Sequence, residues 1–536
     1  MPTPRAINPI IPGFAPDPSI VGVAGWYFLV NSTFHLFPGL PIYASKDLVS
    51  WRQIGGRLNY SPLLRTNEPR LGHAINRRDQ LSLSKSATRL SAPSPSTGGK
   101  ILPATAGLYA PTIRYHAGKF YVVCTNALYN KNTGQVGKQN FLVSTTDIWS
   151  DIWSDPVYFD FVGIDPDLFF DDGKIYITGS ATPGPWTRIN CFEIDIETGK
   201  RLLDERTIWT GTGGVYPEGP HIYKRNGWYY LLIAEGGTHL THMITMARSR
   251  SIWGPYESCP NNPILTANGT DEYIQHTGHG DLFEDNDGQW WAVCLAVRKD
   301  KRGRYAMSRE TFLTSAKWHG EWPSLEPVKL VPRALSNRNE TPSLSAGPLI
   351  DYVYIRDVSL GKYSFNESNS NITLTASSTD LSDPEASPTF VGKRQRLLEG
   401  QSSVTVAGIS DTWSSARLKC GLAYYKDEHR YIRIFFDASD SSVAFEEKNS
   451  AQEIVRTSCQ ALEKTPDSIS LRMEYTEQEF HLMYALESGP HKVWIRLALV
   501  DTMDMTDPDF VGPVIGVFAV SETEGVKVNF EQFSCS

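Results

Sequence analysis

The sequence predicts an all-β protein, a five-bladed β-propeller followed by a β-sandwich with jelly-roll-like connections. Three observations carry that expectation. A unit of strand, glycine turn and aromatic or β-branched returning strand recurs five times. The units fall within the first 320 or so residues at a spacing of roughly fifty, the signature of one four-stranded blade per copy. The remaining chain consists of short alternating segments without a helical stripe.

The first unit is Phe14-Ala-Pro-Asp17-Pro-Ser-Ile20 followed by Ala24-Gly25-Trp26-Tyr-Phe-Leu-Val30. Proline forces extended backbone on the residue before it and is tolerated at a strand's first position, so Asp17 stands at a strand entrance. Gly25 supplies the positive φ of a tight hairpin turn. Ala110-Pro111-Thr-Ile113, Asp165-Pro166-Asp-Leu168, Gly219-Pro220-His-Ile222 and His279-Gly280-Asp-Leu282 open the other four units. The interval from proline to turn glycine is 7 residues in the first four (Pro18 to Gly25, Pro111 to Gly118, Pro166 to Gly173, Pro220 to Gly227). In the fifth, Gly280 to Gly288, it is 8. Each blade has a second half with its own strand signals, such as Pro41-Ile-Tyr-Ala-Ser45 and Phe141-Leu-Val-Ser-Thr145.

Pro18 and Pro111 are 93 residues apart, against 55 and 54 for the next two intervals, which leaves an insertion of about thirty-five residues between blades one and two. Within it Pro62 to Leu71 is polar without a period, and Ser91 to Gly99, rich in Ser, Pro and Gly, reads as a mobile loop. From Pro332 to Gly347 the composition shifts to Pro, Ser, Asn and Arg. The expected organisation is therefore a propeller over 1–331, a linker over 332–347 and a sandwich over 348–536.

At 536 residues the chain exceeds one ordinary core. A formal net charge of −8 without a basic stripe disfavours nucleic acid and membrane surfaces as partners. No apolar run is long enough to cross a bilayer, and Met1-Pro-Thr-Pro-Arg-Ala lacks the signal-peptide pattern; the expectation is cytoplasmic, or secreted if a leader has been removed. Seven scattered cysteines form neither a disulfide framework nor a metal pattern.

In a propeller the innermost strands converge on one axis, so equivalent strand entrances gather at one mouth. Asp17, Asp165 and Glu218 are thereby expected to meet in one cavity. Asp-Pro and Asp-Gly pairs are ordinary turn chemistry one at a time. Three acids at equivalent entrances suit glycoside hydrolysis instead: one protonates the leaving oxygen, an opposed carboxylate activates water or attacks carbon, and a third raises the acid's pKa.

These residues also carry a resemblance. Asn8-Pro-Ile-Ile-Pro-Gly-Phe-Ala-Pro-Asp17-Pro-Ser, Ser32-Thr-Phe-His-Leu-Phe-Pro-Gly39, Gly163-Ile-Asp165-Pro-Asp-Leu-Phe169, Pro217-Glu218-Gly-Pro-His221 and Ser308-Arg309-Glu-Thr-Phe312 resemble glycoside hydrolase family 43, above all its two-domain β-xylosidases and α-L-arabinofuranosidases. Gly392-Lys-Arg-Gln395 and Phe510-Val-Gly-Pro-Val-Ile-Gly-Val-Phe518 extend the similarity into the second domain. The resemblance implies an inverting exo-glycosidase that releases D-xylose or L-arabinose from xylan-derived chains. Asp17 becomes the general base, Glu218 the general acid, and Asp165 the residue that holds Glu218 and tunes its pKa. Arg309 matches an arginine that contacts the sugar, against a structural ion pair with Glu310 or a blade carboxylate as the plain alternative. Phe34 matches an aromatic of the sugar pocket, against a plain core role. Asp167 and Asp171 are assigned to turns or the surface.

Tyr109 stands where many relatives carry Trp, and His35 and Leu36 depart from the commoner form, differences expected to bear on which pentose enters. Family members often place a histidine at the position of His279 beside a calcium or water site. One imidazole is not a calcium site, so no cofactor is expected and calcium near His279 is the minor reading. His239-Leu-Thr-His242 looks like a zinc pair, but no third ligand lies nearby in sequence. A fructosidase would need Asn-Asp-Pro and Arg-Asp-Pro motifs that are absent. A non-catalytic carbohydrate-binding propeller would have no use for acids converging on the axis. The expected partner is a xylo-oligosaccharide or arabinoxylan fragment.

Overall fold

Five antiparallel sheets succeed one another along the first three-fifths of the chain in the computed structural model, which describes residues 6–55, 72–318, 320–335, 342–366, 370–410, 412–486 and 492–536. The polar stretch 62–71 and part of the expected linker lie outside the described residues. The inner strands of blades one to five are Ser19–Val23, Gly107–His116, Gly163–Asp171, Glu218–Arg225 and Ile274–Glu284. Each leads by a hairpin into the next strand out.

The turns explain the recurring interval. Val23 pairs with Trp26, His116 with Lys119, Asp171 with Lys174 and Arg225 with Trp228, so four hairpins close through two residues. Both central residues have positive φ in each (Ala24 and Gly25 at 50° and 79°, for example), the geometry whose twist matches that of the strands. In the fifth blade Glu284 pairs with Trp290 and the loop is longer, which accounts for the odd interval there.

The ring is closed by the N-terminal segment. Asn8 Nδ2 donates to Leu313 O at 2.7 Å and Asn8 Oδ1 accepts from Leu313 N at 2.8 Å, while Ile11 bridges Thr311 of blade five. Asn31 in blade one donates to Thr311 Oγ1 at 2.9 Å. First and last blades are thus joined by backbone-type bonds inside a shared apolar cluster of Ile11, Leu29, Trp51, Trp291 and Leu313.

The C-terminal part is a sandwich of an eight-stranded and a seven-stranded sheet. Its first sheet recruits a propeller strand: Leu36–Phe37 pairs with Tyr352–Ile355. Conversely Ser343–Ala346, in the stretch expected to be linker, forms a strand parallel to Ser50–Gln53 of blade one. The linker reading is corrected there, because those residues complete an otherwise open sheet edge. Phe14, Phe34 and Leu36 pack with Val353, Phe390, Tyr425 and Phe518, so one core crosses the domain boundary. Among the described residues helix is confined to short turns, Thr412–Ser415 being α-helical. Among the described residues no helix is long and apolar enough to cross a membrane.

The insertion between blades one and two folds as His73–Ile75, added to blade one, and a hairpin of Thr88–Ser91 with Leu102–Thr105. Thr88 N donates to Glu428 Oε1 at 2.6 Å, docking the hairpin on the sandwich. The segment read as a mobile loop carries a 3-10 turn, Pro95–Thr97, and Leu240 N donates to Ser96 O at 3.2 Å. That backbone contact, invisible from composition, holds it against blade four.

Candidate active site

The five inner strands share a local irregularity that builds the site. Asp17, Ala110, Asp165, Gly219 and His279 all have positive φ, at 53°, 31°, 54°, 56° and 43°. In blades two to five the ladder slips beside these residues, and in blade one Asp17 precedes the first paired residue, Ser19. Left-handed backbone at non-glycine residues costs on the order of 1–3 kcal/mol each, so four such residues at equivalent places represent strain held by the surrounding packing. Only glycine fits in the fourth blade: a Cβ on Gly219 would come within 2.9 Å of the His279 ring.

The result is one pocket, open to solvent, lined by Asp17, Phe34, Tyr109, Asp165, Glu218, Thr238, His279, Arg309 and Phe510, with Ala110 and Ile164 completing the wall. All seven residues singled out from the sequence are there. Thr238, Ile164 and Phe510 were not foreseen. Thr238 lies in a loop without a recurring signal, and Phe510 belongs to the second domain, where only a fold can bring it to the propeller mouth.

Asp17 is held from two sides. Ser32 Oγ donates to its Oδ2 at 2.6 Å and Arg309 Nη1 to its Oδ1 at 3.0 Å. Burial opposes its ionisation, but Arg309, His279 and Ser32 together outweigh burial and bring its pKa below the usual carboxylate range. Arg309 Nη1 also donates to Thr238 Oγ1 at 2.9 Å and its Nη2 to Phe510 O at 2.7 Å. Its guanidinium lies 5.5 Å from the Phe34 ring and 5.4 Å from that of Phe510. The ion pair weighed against a site role exists, but its partner is the site's own Asp17; Glu310 is taken by Arg298 at 2.8 Å.

The other two acids behave oppositely. Burial, then the charge of Asp17, pushes Asp165 up to about 7, although Gly219 N donates to its Oδ2 at 3.1 Å. Burial, then Asp165 and Asp17, pushes Glu218 well above the ordinary range. The pocket therefore holds one carboxylate ionised while its two neighbours resist ionisation, which provides an acceptor and a donor of protons at one pH.

Tyr109 donates from its hydroxyl to Thr105 O at 2.8 Å, and its ring lies 5.1 Å from Phe34 and 6.0 Å from Phe510. Phe34 is buried against Phe14 and also lines the cavity. His35 departs from its expected bearing on the pocket: it packs on Tyr425 at the domain junction, and burial, then Arg356, lowers its pKa to about 3.

Asp167 corrects the assignment to turns or surface. It is fully buried, pairs with Arg114 at 2.8 Å and accepts from Ile222 N at 3.1 Å. Asp171 does bond outward, to Lys224 and to Tyr229 at 2.6 Å.

His279 touches Gly219 and feels Asp17, His221 and Arg309; burial foremost lowers its pKa to about 4. These neighbours do not supply the six to eight oxygens that calcium takes, so the minor calcium reading does not fit the residues present. Among the described residues no group of three or more His, Cys, Asp or Glu is arranged to hold a metal ion. His239 and His242 are both buried; His242 Nδ1 lies 3.0 Å from His276 O, and the His239 ring faces Phe510.

Residues 6–323 match the family model of glycosyl hydrolases family 43, and residues 349–536 that of the beta xylosidase C-terminal concanavalin A-like domain. The chain is 33% identical over 528 residues to a non-reducing end alpha-L-arabinofuranosidase of Bacteroides ovatus, covering 95% of this chain and 90% of that one. It is 33% identical to a xylosidase/arabinosidase of Butyrivibrio fibrisolvens over 78% of this chain and 75% of the relative. Among solved structures, a xylan beta-1,4-xylosidase from Bacillus halodurans superposes with a TM-score of 0.81 at 25% identity, covering 98% of this chain and 99% of the other. With its strained strand entrances and three acids lining one pocket, this chain belongs to glycosyl hydrolase family 43 and is a glycoside hydrolase.

Proposed function

We propose that this enzyme removes a terminal pentose, D-xylose or L-arabinose, from xylan-derived chains with inversion at the anomeric carbon. The observation that carries this reading is the divided ionisation of three acids in one small, aromatic-lined pocket. Asp17, ionised beside Arg309, takes a proton from water as the water oxygen attacks the anomeric carbon. Glu218 gives its proton to the glycosidic oxygen as the bond from that oxygen to the anomeric carbon breaks. Asp165 binds the Gly219 amide next to Glu218 and holds the acid's pKa up. The step ends with Asp17 protonated and Glu218 ionised, and exchange with solvent resets both. Acid, base and water suffice, so the reading asks for no cofactor.

Arg309, Thr238 and His279 stand where hydroxyls of a sugar can be hydrogen-bonded, and Phe34, Tyr109 and Phe510 offer the apolar faces. The xylan-derived substrate class is supported by the printed activities of relatives that match most of the chain. Incubation with p-nitrophenyl β-D-xyloside and α-L-arabinofuranoside tests the reading, with the first-formed anomer followed by NMR. Release of nitrophenol with the inverted anomer supports it. Activity on neither glycoside, or a retained anomer, overturns it.

A further inference from the structure

Below the pocket floor the five blades are tied together by one side chain. Counting two residues past each left-handed position gives Ser19, Thr112, Asp167, His221 and Asp281. Arg114, on the inner strand of blade two, reaches four of these. Its Nη2 lies 2.8 Å from Asp167 Oδ1 of blade three and 2.9 Å from His221 Nδ1 of blade four. Its Nη1 lies 2.8 Å from Asp281 Oδ2 of blade five and 3.3 Å from Ser19 Oγ of blade one. The tied residues also bond each other. Ser19 Oγ donates to Asp281 Oδ2 at 2.8 Å, and Tyr223 OH to Asp281 Oδ1 at 2.7 Å. Ile222 N donates to Asp167 Oδ2 at 3.1 Å.

The placement matters because the β-ladder leaves Asp17, Asp165, Gly219 and His279 without a pairing partner. The ladder breaks at Ala110, Asp165 and His279 in blades two, three and five and at Gly219, directly after the paired Glu218, in blade four, and in blade one it has not yet begun at Asp17. The next paired residue is Asp167 after Asp165, His221 after Gly219, Gly280 and then Asp281 after His279, and Ser19 after Asp17. Two residues of extended chain span only about 6.6 Å. A shift at the tied residue therefore passes to the pocket residue above it.

We infer that Arg114 is a positioning residue for hydrolysis: by fixing Ser19, Asp167, His221 and Asp281 to one guanidinium it sets the mutual placement of Asp17, Asp165 and Glu218 and balances charge beneath them. The charged and titratable groups facing it are Asp167, His221, Tyr223 and Asp281. With Arg114 removed, Asp167 and Asp281 lose their counter-ion, and the added negative potential makes Glu218 hold its proton to higher pH. The inference rests on the acid and base roles proposed above.

The test measures kcat, KM and the pH dependence of kcat/KM for wild type, Arg114→Lys, Arg114→Met and the double variant Arg114→Met with Asp281→Asn, each checked for folding by circular dichroism. Positioning predicts that kcat falls roughly ten- to hundredfold in Arg114→Met with KM changed much less. Its alkaline limb moves up, the double variant brings that limb back without restoring kcat, and Arg114→Lys recovers part of kcat. Folded variants with wild-type kcat and an unmoved alkaline limb overturn the inference. Should Arg114→Met not fold, the Lys variant decides: wild-type kcat and pH profile there overturn it, and a lowered kcat at unchanged KM supports it. A wild type inactive on both aryl pentosides would instead refute the hydrolytic reading itself.

Discussion

Arg309 Nη1 lies 3.0 Å from Asp17 Oδ1, joining the last blade to the first across the mouth of the ring. Asp17→Asn keeps the shape of that contact but removes the charge that accepts a proton from water. Hydrolysis is expected to fall about 10²- to 10⁴-fold in kcat, with KM within a few-fold. Steady-state kinetics on an aryl xyloside, alongside a melting curve to confirm folding, checks it.

Glu218→Gln retains hydrogen bonding but cannot give a proton to the leaving oxygen. A leaving group that departs readily as an anion needs little protonation. The variant is expected to lose far more activity on a xylo-oligosaccharide than on a 2,4-dinitrophenyl glycoside, and comparing the two kcat/KM ratios reads the difference.

The rate should rise with pH as Asp17 ionises, below the ordinary carboxylate range, and fall once Glu218 gives up its proton. The charge of Asp165 raises the Glu218 pKa, so its removal lowers that pKa. In Asp165→Asn the alkaline limb of kcat/KM therefore moves to lower pH, measured across a series of buffers at constant ionic strength.

Phe510 brings an aromatic ring and a backbone oxygen from the second domain to the pocket. Phe510→Ala leaves the oxygen that binds Arg309 and deletes the ring. KM is expected to rise about tenfold, while the fold, followed by circular dichroism, is kept.

Ser308 donates to Asp509 Oδ1 at 2.5 Å, and Asp509 also accepts from buried Lys426 at 2.8 Å and from Arg430. Asp509→Ala leaves buried Lys426 without its carboxylate, takes one of three carboxylates from Arg430 and releases the residue next to Arg309. A loss of about 3–5 kcal/mol in unfolding free energy is expected by denaturant titration, together with reduced activity in the protein that remains folded.

What could be read from sequence was whatever chain-local chemistry dictates. Alternation and two-residue glycine turns marked the blades, and the interval from Pro18 to Gly25 marked where the inner strands begin. Asp17, Asp165 and Glu218 followed because equivalent positions in a ring must meet. Asp167 was misread because Asp-Pro-Asp looks like turn chemistry, whereas its burial is decided by Arg114, a partner in another blade. His35 was misplaced for the same reason: its surroundings are Tyr425 and Arg356, far along the chain. Ser343–Ala346 was expected to be linker because its composition is that of a loop, and only an available edge on blade one makes it a strand.

The clasp of Asn8 and Ile11 on Leu313 and Thr311 has a consequence for biosynthesis. In the growing chain Asp17 is made well before its counter-ion Arg309, and Phe510 follows about two hundred residues later still. The nascent enzyme is thus an unclosed arc until blade five has been made, and its pocket lacks one wall until Phe510 follows, a period in which chaperones have most to protect.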